Sequence, residues 1–239
     1  MSPDAADRLL VALDVESLEG AAALLDGLLG VITGCKIGSQ LFTAAGPAAV
    51  ELARKRDFRV FLDLKFHDIP NTVAGAVYQA TRLGVFMLNV HASGGTAMMR
   101  AAAESAAKAA ADFKTRRPLV LGVTVLTSLD RRALEREVGV PATVEQHVVD
   151  LARHAREAGL DGVVASPQEI RALRRALGSN FVIVTPGVRP AERSDDQART
   201  ATPAAAIAAG ADYLVVGRPI TAAIDPIAAA KAILTQLGA

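Results

Sequence analysis

Three ionisable residues stand close together in the stretch FLDLKFHDIPNT: Asp63, Lys65 and Asp68. An acid, a base and a second acid in that order can fix an ammonium and pass its proton to a reacting atom. Residues 60–65 read as a β-strand, and side chains two apart on a strand share a face. Asp63 and Lys65 therefore project one way, Leu62 and Leu64 the other. A strand covered on both faces is near-continuously apolar, so two charges on one face are expensive unless paired or used. A structural Asp–Lys pair at a strand end accounts for two of the three charges. The third charge, followed by Ile69-Pro70-Asn71-Thr72, points to catalysis.

Other residues can join that chemistry. Lys36 lies in the apolar run CKIG; such a lysine either snorkels to a rim or pairs with a carboxylate, and Asp63 favours pairing. Lys36, Asp63, Lys65 and Asp68 would then form an alternating network set before any substrate charge changes. Asp14, after the run RLLVAL, either caps the next helix or belongs to the site. The run VVGRPI places Gly217, where backbone can approach an anion closely, beside the planar fork of Arg218. Residues 187–202 form a polar loop too long for a simple connector, carrying Arg189, Arg193, Gln197 and Arg199. Such a loop beside an anion site suggests a lid over a phosphate-ended ligand. His67 and His91 read as structural, and Cys35 as a buried apolar residue. The four histidines are scattered, without metal-ligand spacing, so no metal is expected.

These residues need elements to position them. Apolar runs predict strands over 8–13, 33–38, 60–65, 86–91, 119–125, 162–165, 181–185 and 213–216. Helical spacing predicts helices over 18–29, 46–55, 72–83, 94–113, 143–158, 167–177, 203–209 and 226–237, with Asn71 or Thr72 as the N-cap of the third. Residues 128–141 form a charged excursion with a short helix of its own. About eight β–α units in 239 residues fit one closed (β/α)8 TIM barrel, a single domain over 1–239. An open doubly wound sheet is the alternative, but Asp14-Val15-Glu16 is no Gly-rich fingerprint. In a barrel, chemistry sits at the C-terminal strand ends. Those ends carry Asp14, Lys36, Asp63 with Lys65, His91, Thr127, Ser166, Pro186-Gly187 and Gly217-Arg218.

Composition narrows the partners. Apolar residues make up 51 % and charged residues 21 %, which excludes a disordered chain. A formal net charge of +1 gives no support for a nucleic-acid or anionic-membrane surface. One cysteine forbids an internal disulfide and suits a reducing compartment. With no signal-like start and no apolar span of membrane length, the expected location is cytoplasmic.

The string DLKFHDIPNT resembles the signature of the orotidine 5′-phosphate decarboxylase family. The likeness continues through LDV with Asp14, KIGSQLF with Lys36, VTVLTS with Thr127, TPGVRP with Arg189, DDQAR with Gln197 and ADYLVVGRPI with Arg218, in order along nearly the whole chain. The resemblance implies cofactor-free conversion of orotidine 5′-monophosphate to UMP by a homodimer with sites at its interface. It assigns Lys65 to protonation of C6 and Asp63 to the side of the departing carboxylate. Asp68 and Thr72 would complete the neighbouring subunit's site, and Lys36 and Asp14 would bind ribose. Thr127, or its neighbour Ser128, would contact the pyrimidine. Gln197, Gly217 and Arg218, with Arg189 nearby, would grip phosphate.

Three rivals remain open. A sister barrel decarboxylase or aldolase acting on a keto-sugar phosphate through Mg²⁺ would carry a glutamate ligand where Lys36 stands, and a lysine there repels the cation. A non-catalytic nucleotide-phosphate-binding barrel has little use for clustered charge. A Schiff-base aldolase through Lys65 is disfavoured because a paired lysine stays protonated.

Overall fold

The computed structural model describes residues 4–189 and 201–238. Eight parallel strands close into one barrel in sequence order: β1 Leu9–Ala12, β2 Gly34–Gly38, β3 Arg59–Phe66, β4 Met87–His91, β5 Leu119–Val123, β6 Gly162–Val164, β7 Val182–Thr185 and β8 Tyr213–Val216. Strand β8 pairs with β1, Leu10 level with Val215, and this pairing closes the sheet.

Strand alternation divides the core into two apolar clusters. Leu10, Ala12, Phe61, Met87, Leu121, Val184, Tyr213 and Val215 pack together inside the barrel. Their neighbours along the strands, among them Leu9, Val11, Ile37, Leu62, Leu88, Val163, Ile183 and Leu214, pack against the surrounding helices. Every inward position toward the C-terminal end of a strand therefore faces a mouth lined from several strands.

Local chemistry sets the helix boundaries. Ser17, Thr143 and Thr202 each accept a main-chain N–H two or three residues into the helices Leu18–Leu28, Val144–Glu157 and Pro203–Ala209. Asp225 does the same for Pro226–Gln236. Several boundaries differ from the sequence expectation. The helix after β3 spans Pro70–Arg82 and has Ile69, not Asn71 or Thr72, at its N-cap; Pro70 at the first helical position has no N–H to satisfy and a preset φ. The segment after β2 contains two helices, Ser39–Ala45 and Pro47–Arg54, broken at Gly46 with φ +58°. Strand β5 stops at Val123, two residues early. The charged excursion holds the short helix Arg131–Arg136, capped by Asp130.

Candidate active site

The C-terminal mouth opens on a cavity of about 480 Å³, a size suited to a small molecule. One wall is charged: Asp14, Lys36, Asp63 and Lys65, with Gln40 beside them. The rim also carries Arg189 and Arg218 with Gly187 and Gly217, Gly217 standing beside Asp14. Apolar side chains, including Phe61, Val123, Val164 and Val215, and the half-buried Thr127 complete the lining.

The charged wall is a continuous chain of contacts. Lys65 Nζ lies 2.7 Å from Asp63 Oδ1. Lys36 Nζ lies 3.4 Å from Asp63 Oδ2 and 2.9 Å from Asp14 Oδ1. Lys36 and Asp63 are only 8 % exposed each, so neither charge is held by bulk water and each depends on the other. Gly38 makes room for this arrangement: a Cβ there would stand 2.8 Å from Lys36 Nζ and 3.3 Å from Asp14 Oδ1.

The backbone under this wall is irregular. Lys65 has φ +52°, in the left-handed region that lysine rarely adopts. The register between β3 and β4 shifts at the same place, with Leu62 opposite Leu88 and Phe66 opposite Val90. Asn89, fully buried on β4, donates from Nδ2 to Asp63 Oδ1 at 2.7 Å and accepts the Lys65 N–H at 2.8 Å. Two histidines stack near this point, His67 and His91, with ring centroids 5.3 Å apart. Burial holds His91 below the ordinary histidine pKa, with His67 and Lys65 adding to the effect and Asp63 opposing it. Burial also pushes the Cys35 thiol up to about 12, against a weaker pull from Lys36.

The arginine-bearing part of the rim follows β7 and β8. Arg189 is buried, donates its guanidinium to the Val188 carbonyl and its main-chain N–H to Ala201 O at 2.9 Å. Val188 and Ala201 also form a bridge, so the two flanks of the 190–200 stretch meet at the cavity edge. Gly217 precedes the one-turn helix Arg218–Thr221, which places Arg218 at the mouth.

The chain is similar to known proteins along nearly its whole length. Residues 7–233 match the model of the orotidine 5′-phosphate decarboxylase / HUMPS family. The chain belongs to this family. It is 58 % identical over 234 residues to an orotidine 5′-phosphate decarboxylase of Moorella thermoacetica, covering 98 % of this chain and 93 % of that one. It is 53 % identical to the protein of the same name from Syntrophotalea carbinolica, covering 100 % and 98 %. The crystal structure of orotidine 5′-phosphate decarboxylase from Lactobacillus acidophilus superposes with a TM-score of 0.85 at 35 % identity, covering 98 % of this chain and all of that one.

Against the family string, the fold brings together most of the residues the sequence singled out. Asp14, Lys36, Asp63, Lys65, Thr127, Arg189, Gly217 and Arg218 all line one cavity. Ser128, the alternative to Thr127, is exposed and does not line it. Asp68 and Thr72 stand outside the cavity, exposed, at the start of Pro70–Arg82. Among the described residues Asp68 joins no ion pair, and its carboxylate accepts the Ile69 N–H at 2.6 Å. The four-charge network read from sequence thus has Asp14 in the place given to Asp68. Gln197 lies outside the described residues. Sequence reasoning missed Gln40 and Asn89; the latter had a signal, a lone amide at an inward position of the apolar strand MLNVH. Among the described residues no three His, Cys, Asp or Glu side chains cluster as metal ligands would, and no helix is long and apolar enough to cross a membrane.

Proposed function

We propose that this chain decarboxylates orotidine 5′-monophosphate to UMP, without a cofactor, in pyrimidine biosynthesis. The observation that carries the reading is the Lys65–Asp63–Lys36–Asp14 chain along one wall of a nucleotide-sized cavity whose rim also holds Arg189 and Arg218. In this reading the phosphate sits against Arg218, Arg189 and Gly217, with Gln197 from the neighbouring loop. The ribose meets Asp14 and Lys36, and the pyrimidine lies toward Thr127 with C6 at Lys65.

The chemistry follows from those positions. The bond from C6 to the carboxylate breaks, its electron pair stays on C6, and CO₂ departs. That pair occupies an in-plane orbital that the ring π-system cannot delocalise. The fixed ammonium of Lys65 stabilises it and then gives its proton to C6, leaving a neutral amine that solvent reprotonates. Asp63 holds the ammonium and disfavours the substrate carboxylate beside it. Phosphate binding, remote from C6, can supply binding energy to the chemical step; the lid expected over 187–202 falls, for residues 190–200, outside the described residues, whose neighbours Val188 and Ala201 are bridged.

The exposure of Asp68, Ile69 and Thr72 together supports a homodimer in which Asp68 and Thr72 complete the partner's site. Ile69 is 67 % exposed, a large apolar side chain at the tip where a second copy would dock. A cytoplasmic location fits a chain whose one cysteine is a buried thiol.

The deciding experiment follows absorbance after adding orotidine 5′-monophosphate with EDTA present. Loss of the substrate chromophore at an undiminished rate supports the proposal; activity that disappears with chelator supports the Mg²⁺-dependent sister reaction. Mixing inactive Asp68→Ala and inactive Lys65→Ala chains should restore activity through hybrid sites. No recovery in verified hybrid dimers counts against a shared site.

A further inference from the structure

Strand β3 has more residues at its C-terminal end than β4 can pair. With Leu62 level with Leu88 and Phe66 level with Val90, the residues Asp63, Leu64 and Lys65 all face Asn89. Three residues against one deprive the ladder of a main-chain partner for the Lys65 N–H. The side-chain amide of Asn89 supplies it, with Oδ1 accepting at 2.8 Å. The other end of the same amide donates to Asp63 Oδ1 at 2.7 Å, and that oxygen also receives Lys65 Nζ at 2.7 Å. The result is a closed circuit: amide to carboxylate, carboxylate to ammonium, and the same lysine's main chain back to the amide.

The orientation of the amide is fixed by its partners. A main-chain N–H only donates and an ionised carboxylate only accepts, so only one flip satisfies both. Asn89 is fully buried and does not line the cavity, so it acts through its neighbours. Its contacts fall on two things that decide where the ammonium points: the φ of +52° at Lys65 and the rotamer of Asp63.

We infer that Asn89 is a positioning residue for the decarboxylation, locking the bulged backbone of Lys65 and the carboxylate of Asp63 so that the ammonium enters the cavity in one direction. The inference rests on the reading of Lys65 as proton donor. No other side chain of this size serves both ends. Aspartate would keep the acceptor but lose the donor and set two carboxylates face to face. Alanine would lose both bonds, and glutamine would be too long for the single-residue gap.

The test compares wild type with Asn89→Ala and Asn89→Asp, measuring kcat and KM on orotidine 5′-monophosphate, UMP affinity by calorimetry, and folding by circular dichroism. Displacing a reacting group by about an ångström lowers turnover on the order of 10²-fold, so a kcat loss of that size is expected in both variants. UMP affinity should stay within about threefold, because the ribose and phosphate contacts do not involve Asn89. A residue that merely stabilised the fold would lower the melting temperature and leave kcat of the folded enzyme intact. A kcat within about threefold of wild type in a folded variant overturns the inference. So does a parallel loss of kcat and UMP affinity, which would mean general collapse of the mouth. If Asn89→Ala does not fold, Asn89→Asp, nearly identical in shape, decides alone by the same criteria. Wild type inactive on the nucleotide refutes the proposed function; active wild type with active variants refutes the role of Asn89 only.

Discussion

The two ends of the barrel use paired charges for different purposes, arginines with aspartates at one end and lysines with aspartates at the other. At the N-terminal end, arginines and aspartates bond to the main chain. Arg174 donates to the carbonyls of Gly210, Gly178 and Phe181 as well as to Asp212. Asp212 in turn accepts the Ile183 N–H, and Asp161, paired with Arg117, accepts the Val120 N–H. Arg8 reaches Ala211 O and Asp212 O, and Arg59 reaches Asp7 O. These charges supply hydrogen bonds where strands begin and ladder partners are missing. At the C-terminal end, Asp14, Lys36, Asp63 and Lys65 bond to one another, and both ammonium groups front the cavity. Ion pairs whose members also bond to backbone, as Arg174–Asp212 and Arg117–Asp161 do, are tied into the fold; ion pairs at the edge of a cavity, as in Asp14, Lys36, Asp63 and Lys65, are available to a ligand.

Substitutions can break that contrast. The largest expected effect is on turnover at the C-terminal end: Lys65→Ala should lose roughly 10⁴-fold or more in kcat, combining proton donation with electrostatic stabilisation. Its melting temperature should move by less than about 5 °C, since Asp63 keeps Lys36 and Asn89. Near-normal turnover of this variant in a stopped assay would remove Lys65 from the chemistry. The converse change is Arg174→Ala, which strips five hydrogen bonds to carbonyls and an ion pair from the N-terminal end. It should cost roughly 2–4 kcal/mol in denaturant melts and leave kcat unaltered; a catalytic loss without a stability loss would erase the distinction between the two ends.

A smaller effect sharpens the division within the mouth. Arg218→Ala should weaken UMP by roughly 10–100-fold, the worth of a charge-assisted bond, and weaken uridine hardly at all. Equal losses for both ligands would show that Arg218 shapes the cavity instead of holding phosphate.

The smallest concerns pH. His91 is held below the ordinary value of 6.5 by burial, then by His67 and Lys65. Between its lowered folded value and 6.5 the unfolded chain binds more protons than the folded one, so stability rises with pH across that interval. Acidification below 6.5 should therefore cost stability, and His91→Gln should flatten that part of the curve. In NMR titration the His91 ring should protonate at a lower pH than the histidines of the unfolded chain. A His91 that titrates like an exposed ring would sink this account.

Much of the site was legible before any coordinates. Period-two alternation put Asp63 and Lys65 on one face, and both do reach the cavity. The position of Lys36 and Asp14 at C-terminal strand ends carries them to the mouth, because parallel strands in one barrel end together. These local rules failed where the chain leaves regular geometry. Asp68 was grouped with the network because it is near in sequence, but it follows the strand end and turns outward with Ile69. Pro70 moved the helix start ahead of the polar residues expected to cap it.

The sequence alone determined the family, the eight β–α units and the identity of the charged residues, since each is written in local patterns of a few to twenty residues. The tertiary structure decided which charges touch. Lys36 bridges Asp14 and Asp63 because β2 lies between β1 and β3 in the closed barrel, at separations of 22 and 27 residues that no local pattern encodes. It also decided the register slip that sets Asn89 against three residues of β3. Register is a property of two strands meeting, and neither strand's own sequence states it.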